Sequence, residues 1–236
     1  AIEIERLLKY PGFLRRDTFA KGRAEIVELR IDKASKLCNV QLQDMHSIIK
    51  CRVLICAVLR NGNAVVPNSG SFTFREGDRV FVTAPTRDLT ILLKSLGIIT
   101  RRVRRVILCG GGRVAYYLAL LLQKDGIDVQ LIERNRERCE QLAALLPEVS
   151  IVHGDATDQS LLDDEGLSTA DALVNLTSLD ELNMIISLYG TSVGVPQIIT
   201  KLGRVENRSI IDSLALGSIV CPKELCCNTI VRYVRA

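Results

Sequence analysis

Two hydrophobic rhythms divide the chain. Between residues 24 and 97, short apolar runs alternate with turn residues. From residue 103 onward, strand-length apolar runs alternate with stretches of helical period. In the first part, AEIVELRI (24–31) puts Val27, Leu29 and Ile31 on one face, opposite Glu28 and Arg30, the period-two signature of a strand. SKLCNVQLQDM (35–45) reads as a short amphipathic segment carried by Leu37, Val40 and Leu42. RVLICAVLR (52–60) is apolar enough for a buried strand. Asn61-Gly62-Asn63 then predicts a hairpin turn, because Asn-Gly tolerates positive φ, with AVVP (64–67) as the return strand. Arg75-Glu76-Gly77-Asp78 is a second turn, leading into a strand at 79–85. TRDLTILLKSLG (86–97) predicts a helix capped by Thr86 and ended by Gly97. Residues 1–10 read as the end of a helix stopped by Pro11-Gly12. The pattern predicts a small α+β domain with a mainly antiparallel sheet.

The second part predicts strands at 103–109, 128–134, 149–154, 170–177, 196–202 and 218–222. Helices fall between them at 113–126, 135–147, 157–167, 178–190 and 203–215, with a last one from 223. Strands alternating with helices need crossover connections and hence a parallel sheet. Runs such as VILC and ALVNL suit a sheet covered on both faces. The fold class is α/β: a doubly wound, Rossmann-like parallel sheet over 103–236, preceded by the small α+β domain.

One motif in this half carries chemistry. Gly110-Gly111-Gly112-Arg113-Val114-Ala115 fits G-x-G-x-x-A, directly after a predicted strand and opening a predicted helix. Gly110 allows a tight turn, Gly112 lets backbone approach a phosphate, and Ala115 permits close helix–sheet packing. The helix N-terminus offers unpaired N–H groups and partial positive charge. Glu133, followed by Arg134, ends the second strand at the spacing expected of an acid that binds ribose hydroxyls and repels a 2′-phosphate. The ligand class is therefore NAD or NADH, or alternatively ATP, ADP or AMP, and not NADP. The competing reading is a structural turn beside an empty crevice.

Other strand-end loops face the same crevice. Asp155, next to Ala156, is a candidate for the adenine amino group or an N-cap for the helix near Thr157. Thr177, Ser178, Asp180 and Asn183 are candidates for phosphate or a second ribose, with helix capping by Ser178 or Asp180 as the alternative. Lys201 is a phosphate neutraliser or a solvated lysine. A catalytic group is harder to find. His153 ends an apolar strand and reads as structural, and no Tyr-x-x-x-Lys pair starts at Tyr116, Tyr117, Tyr189 or Tyr233. The crevice reads as one that binds a nucleotide without transforming it. An NAD-dependent oxidoreductase with an unrecognised substrate site is the alternative, and a purely structural subunit with a degenerate crevice is a third.

Charge and cysteines refine this picture. The 236 residues hold 31 Lys+Arg and 27 Asp+Glu, for a net charge of +4. Residues 1–98 hold 16 basic and 10 acidic residues; 106–236 hold 11 and 17, which argues against a nucleic-acid-binding face on the second half. Arg101-Arg102-Val103-Arg104-Arg105 reads as a solvated linker before a buried strand. The eight cysteines form no CxxC pair and only two histidines accompany them, so reduced thiols are expected and a metal site is not.

Taken together, GGGRVA, Glu133, VHGDATD (152–158), ADALVNLTSLDELN (170–183) and SIVCPKE (218–224) resemble the TrkA-type regulatory subunits of bacterial potassium uptake systems, and more broadly the RCK (KTN) ligand-sensing domains. Residues 103–236 resemble the nucleotide-binding N-type domain. Residues 20–98 resemble the smaller C-type domain, through RNGNAVVP and REGDRVFV. Residues 1–14 would then be the end of a crossover helix from a preceding N-type domain, with NTIVRYVRA (228–236) as its counterpart, and the chain would be a piece of a longer protein. It departs from the family in stopping before a second C-type domain and in carrying Ala115 where a third glycine is common. The resemblance implies a cytoplasmic regulator, peripheral on the inner face of the cell membrane. It would be a homo-oligomer, a dimer building a ring, beneath a membrane-embedded potassium-translocating subunit.

Overall fold

The computed structural model describes residues 1–9, 13–19, 24–97, 102–204, 211, 214 and 216–234. The chain forms two units, Tyr10–Arg101 and the combination of Ala1–Lys9 with Arg102–Ala236. Helix α1 (Ile2–Lys9) thus belongs to the second unit.

The smaller unit is built on strands β1 (Arg15–Phe19), β2 (Ala24–Arg30), β3 (Leu54–Arg60), β4 (Asn63–Val65) and β5 (Arg79–Pro85), antiparallel in the order β1-β2-β5-β3-β4. Val27, Leu29, Val80 and Val82 alternate onto one face and share a core with Leu89, Leu92 and Leu93 of helix α3 (Leu89–Ser95). Asn61 (φ 50°) and Gly62 (φ 79°) both take positive φ in the β3–β4 turn, the conformation that Asn-Gly predicts. The segment read as amphipathic at 35–45 is mostly turns; helix there is confined to a 3₁₀ turn at Leu42–Asp44 and the single turn α2 (Met45–Ile48). At the other end of α3, Thr86 opens a 3₁₀ turn, and Asp88 stands at the N-cap without a side-chain cap bond. Arg60 clamps this unit. Its Nε and one terminal nitrogen each donate to fully buried Asp78 at 2.7 Å, and its guanidinium lies over the Phe72 ring at 5.2 Å. Asp78 also accepts the Arg75 N–H at 2.8 Å, so the two turns read from sequence are tied to one carboxylate.

The larger unit alternates β6 (Arg105–Cys109), α4 (Arg113–Lys124), β7 (Asp128–Glu133), α5 (Arg136–Leu145), β8 (Ser150–His153), α6 (Gln159–Asp164), β9 (Ala172–Asn175), α7 (Asp180–Val193), β10 (Gln197–Lys201), β11 (Ser218–Val220) and α8 (Pro222–Val234). Its six strands are parallel, in the order β11-β10-β9-β6-β7-β8. Strand order reverses between β6 and β9, and an open α/β sheet binds ligands at such a switch point. One face packs on α1 and α4; the other holds Ile107, Cys109, Leu173 and Ile186. Most of the helix expected at 203–215, and Pro11-Gly12, lie outside the described residues. Among the described residues no helix is long and apolar enough to cross a membrane.

Helix α1 docks on this sheet through Ile4, Leu7 and Leu8, each 2% exposed or less. Burying three such side chains is worth about 5–9 kcal/mol of transfer free energy, an upper bound. Gln197 donates its side-chain N–H to the Leu7 carbonyl at 2.8 Å. Lys9 reaches Asp125 at 3.2 Å, and Arg102 donates to the carbonyl of the same Asp125 at 3.1 Å.

Helix α7 does not bury the whole of the side that its hydrophobic period marks. Leu182, Ile185, Ile186 and Tyr189 form the apolar stripe, yet the buried face is Asn183, Ile186, Ser187 and Gly190. The reason is a polar chain inside the sheet. Asn175 donates to Ser187 Oγ at 2.7 Å, Ser187 and Thr200 hydroxyls meet at 2.6 Å, and Thr200 donates to the Leu216 carbonyl at 2.6 Å. Gly190 lets the helix close on Leu173, whose Cδ2 would lie 2.6 Å from any Cβ placed there.

Candidate functional site

A cleft opens at the C-terminal ends of β6, β7, β8 and β9. Gly110, Glu133, Arg134, Asp155, Ala156, Thr177 and Ser178 line it, over an apolar floor that includes Ile132, Leu182 and Ile186. Its place follows from topology, since four consecutive strand ends around the switch point leave a gap between their loops.

Gly110 forms one wall, and Gly111 and Gly112 follow it outside the lining. Gly110 has φ 102°, and a Cβ there would lie 3.0 Å from the Thr177 backbone nitrogen. A Cβ on Gly111 would collide with Leu142 Cδ1 at 2.6 Å. At exposed Gly112 it would meet nothing within 4 Å, so that glycine keeps open the space in front of the helix. Gly112 is the N-cap of α4 and no side chain caps the helix there. Its neighbours α5 and α6 are capped by Asn135 and Asp158. Arg113 and Val114 begin the first turn of α4 outside the cleft lining, and Ala115 is buried in the core beneath it.

Glu133 stands across from that turn. One carboxylate oxygen accepts the Gly111 N–H at 2.6 Å and the other the Asn135 N–H at 2.7 Å. Arg134, mostly exposed, comes within 3.8 Å of Asp155. Asp155 does not cap helix α6, a duty that falls to Asp158. Its Oδ1 accepts the Thr157 N–H and hydroxyl at 2.9 and 2.8 Å, and these bonds hold its carboxyl below the usual carboxylate range.

Beyond the glycine turn and α4, three more candidate residues lie off the lining. Asp180 accepts the Gly203 N–H on both oxygens at 2.8 Å, joining the start of α7 to the loop after β10. Asn183 is fully buried; it accepts the Thr177 N–H and hydroxyl and donates to the Lys201 carbonyl. Lys201 is half-buried, its amine pulled down by desolvation and partly restored by Asp180. These side chains brace the cleft wall. His153, read as structural, is exposed, with Nε2 3.1 Å from the Arg134 carbonyl.

Sequence reasoning passed over Arg138, which donates from Nε to the Gly111 carbonyl at 2.8 Å. A signal was present: a cation in the first turn of a helix opposes the helix dipole and needs another duty.

Comparison with known proteins follows the same division. Residues 106–222 match the TrkA-N domain family and residues 26–97 the TrkA-C domain family. The chain is 32% identical over 235 residues to the Trk system potassium uptake protein TrkA homolog of Archaeoglobus fulgidus, covering 100% of this chain and 53% of that one. It is 30% identical over 236 residues to the Trk system potassium uptake protein TrkA of Haemophilus influenzae, covering 99% and 51%. The chain thus spans about half the length of these relatives. Among solved structures, the GsuK RCK domain shares the fold with a TM-score of 0.58 at 17% identity, over 95% of this chain and 49% of that one. The GsuK channel bound to NAD does so with a TM-score of 0.59 at 16% identity, over 98% and 41%.

Proposed function

The chain belongs to the TrkA family, carrying a TrkA-C domain and then a TrkA-N domain, and on that premise we propose that it is a nucleotide-sensing regulator that gates potassium transport. One observation carries the reading. An uncapped helix N-terminus behind the open Gly112 adjoins an acid, Glu133, which lines the switch-point cleft together with Gly110. NAD or NADH is the first ligand, a choice supported by the NAD bound to a channel of the same fold; ATP, ADP or AMP would use the same adenosine half. In this reading the N–H groups of Gly112 and Arg113 hold phosphate and Glu133 accepts from the ribose hydroxyls. Asp155 accepts from the adenine amino group, and Thr177 and Ser178 close the far wall. The carboxylate of Glu133 disfavours a 2′-phosphate and so NADP. No residue here is assigned a catalytic role, and the nucleotide acts as a signal.

The proposed partner is a membrane-embedded potassium-translocating subunit, in keeping with relatives named for Trk potassium uptake. The proposed assembly is a cytoplasmic ring of dimers on the inner face of the membrane. Nucleotide biases such a ring only by binding one arrangement more tightly, and a coupling of about 1–3 kcal/mol is ordinary. Calorimetry of the purified chain against NAD, NADH, ATP, ADP, AMP and NADP tests the core of the proposal. Saturable binding of an adenine nucleotide, with NADP weaker, is expected; no binding by any of them would defeat it.

A further inference from the structure

The two peptide groups that flank Gly111 in the glycine turn are each held by a charged side chain. The Gly111 N–H donates to Glu133, and the Gly111 carbonyl accepts from Arg138 Nε at 2.8 Å. That carbonyl shares a peptide plane with the Gly112 N–H, and in a trans peptide the two point in opposite directions. Fixing the Gly111 carbonyl toward Arg138 therefore turns the Gly112 N–H away from α5. Among the described residues the Gly112 N–H has no protein partner, while the Gly112 carbonyl already accepts the first helical bond from Tyr116 at 3.1 Å.

Arg138 is itself fixed. Its backbone N–H donates to the capping Asn135 Oδ1 at 2.9 Å, and a terminal guanidinium nitrogen donates to Gln141 at 3.2 Å. Its planar fork is thus oriented before any ligand arrives.

We propose that Arg138 is a positioning residue for nucleotide phosphate: it sets the Gly111–Gly112 peptide so that the Gly112 N–H is presented to the phosphate in advance. The proposal rests on the nucleotide reading above. Without Arg138 the peptide is free to rotate, and binding must then order it, which lowers affinity. A plain charge effect predicts something else, because charge attraction at a half-exposed site is screened by salt and peptide orientation is not.

The test combines glycine-selective ¹⁵N labelling with calorimetry on the full chain. In Arg138→Gln the Gly112 amide resonance should shift in the nucleotide-free protein. NAD affinity should fall by about tenfold, and to the same extent at low and high potassium chloride. A loss that disappears at high salt would reduce Arg138 to a source of charge and overturn the proposal, as would an unmoved Gly112 resonance. If Arg138→Gln does not fold, Arg138→Lys keeps the charge and loses the planar donor; wild-type NAD affinity in that variant would equally overturn it. Should the wild-type chain bind no nucleotide, the proposed function fails, and the Gly112 resonance alone still decides whether Arg138 sets the peptide.

Discussion

Glu133 and Gly111 are bonded to each other, carboxylate to N–H at 2.6 Å, so the acid read as a ribose ligand is also a strut of the glycine turn. Replacing it should have two separable effects. Glu133→Ala should cost about 2 kcal/mol of stability, because the Gly111 and Asn135 N–H groups lose a charged acceptor. It should also weaken NAD binding and narrow the preference over NADP. Thermal melting reads the first effect and calorimetry with both dinucleotides the second. A wild type that binds NADP as tightly as NAD would remove Glu133 from the ribose site.

The glycines should separate binding from folding. Gly112→Val adds a side chain where nothing lies within 4 Å, in a backbone conformation (φ −70°) open to any residue. Its melting temperature should stay near wild type while NAD affinity collapses. Gly111→Ala puts its Cβ 2.6 Å from Leu142 and should lower the melting temperature instead. Equal NAD affinity in folded Gly112→Val would sink the phosphate assignment.

In the smaller unit, Asp78 is fully buried and holds Arg60 and the Arg75 N–H. Asp78→Asn leaves the guanidinium without its charge partner and should destabilise that unit by about 3 kcal/mol or more. Urea denaturation followed by probes in each unit reads the loss, and the larger unit's transition should not move.

Thiol chemistry offers a check on burial and its pH dependence. Burial pushes the Cys109 thiol up to about 12, so at about pH 8 roughly one molecule in ten thousand carries the thiolate. Cys56, Cys226 and Cys227 are exposed. Maleimide labelling with mass spectrometry should mark those three rapidly and spare Cys109 until the protein unfolds. Rapid native labelling of Cys109 would contradict the packing of β6.

Assembly is the last expectation. Ile185 is 55% exposed and Leu188 38% exposed on α7, off the face that meets the sheet. Light scattering across a dilution series should show a species larger than a monomer. Ile185→Glu should reduce it without lowering the melting temperature. A strictly monomeric wild type would count heavily against a ring.

The alternation of strand and helix after residue 103 was legible because the strands are covered on both faces and read as unbroken apolar runs. β1, with the sequence RRDTF, was not: it lies at a sheet edge and carries no apolar alternation. The buried face of α7 departs from its hydrophobic period for a related reason. Hydrophobic period points to whichever side has larger apolar residues, and here the sheet offers Asn175 and Thr200, which recruit Ser187. At the cleft, Gly110 and Glu133 stood out because backbone geometry and strand-end position restrict what can serve there. Asp180 and Asn183 did not separate into ligands and braces, since a carboxylate or amide suits both tasks. Arg138 left a weaker mark, a cation against the dipole of α5, because its partner is a backbone carbonyl and not a side chain.

The docking of α1 also has a consequence for the nascent chain. Leu7 meets Gln197, a residue 190 positions later, and Ile4, Leu7 and Leu8 pack among side chains from β6 to β11. On a ribosome adding about 5–20 residues per second, α1 waits roughly 10–40 s for the surface that will cover it. During that time the smaller unit can complete its own core, so α1 joins its sheet only after the unit that follows it in sequence has formed.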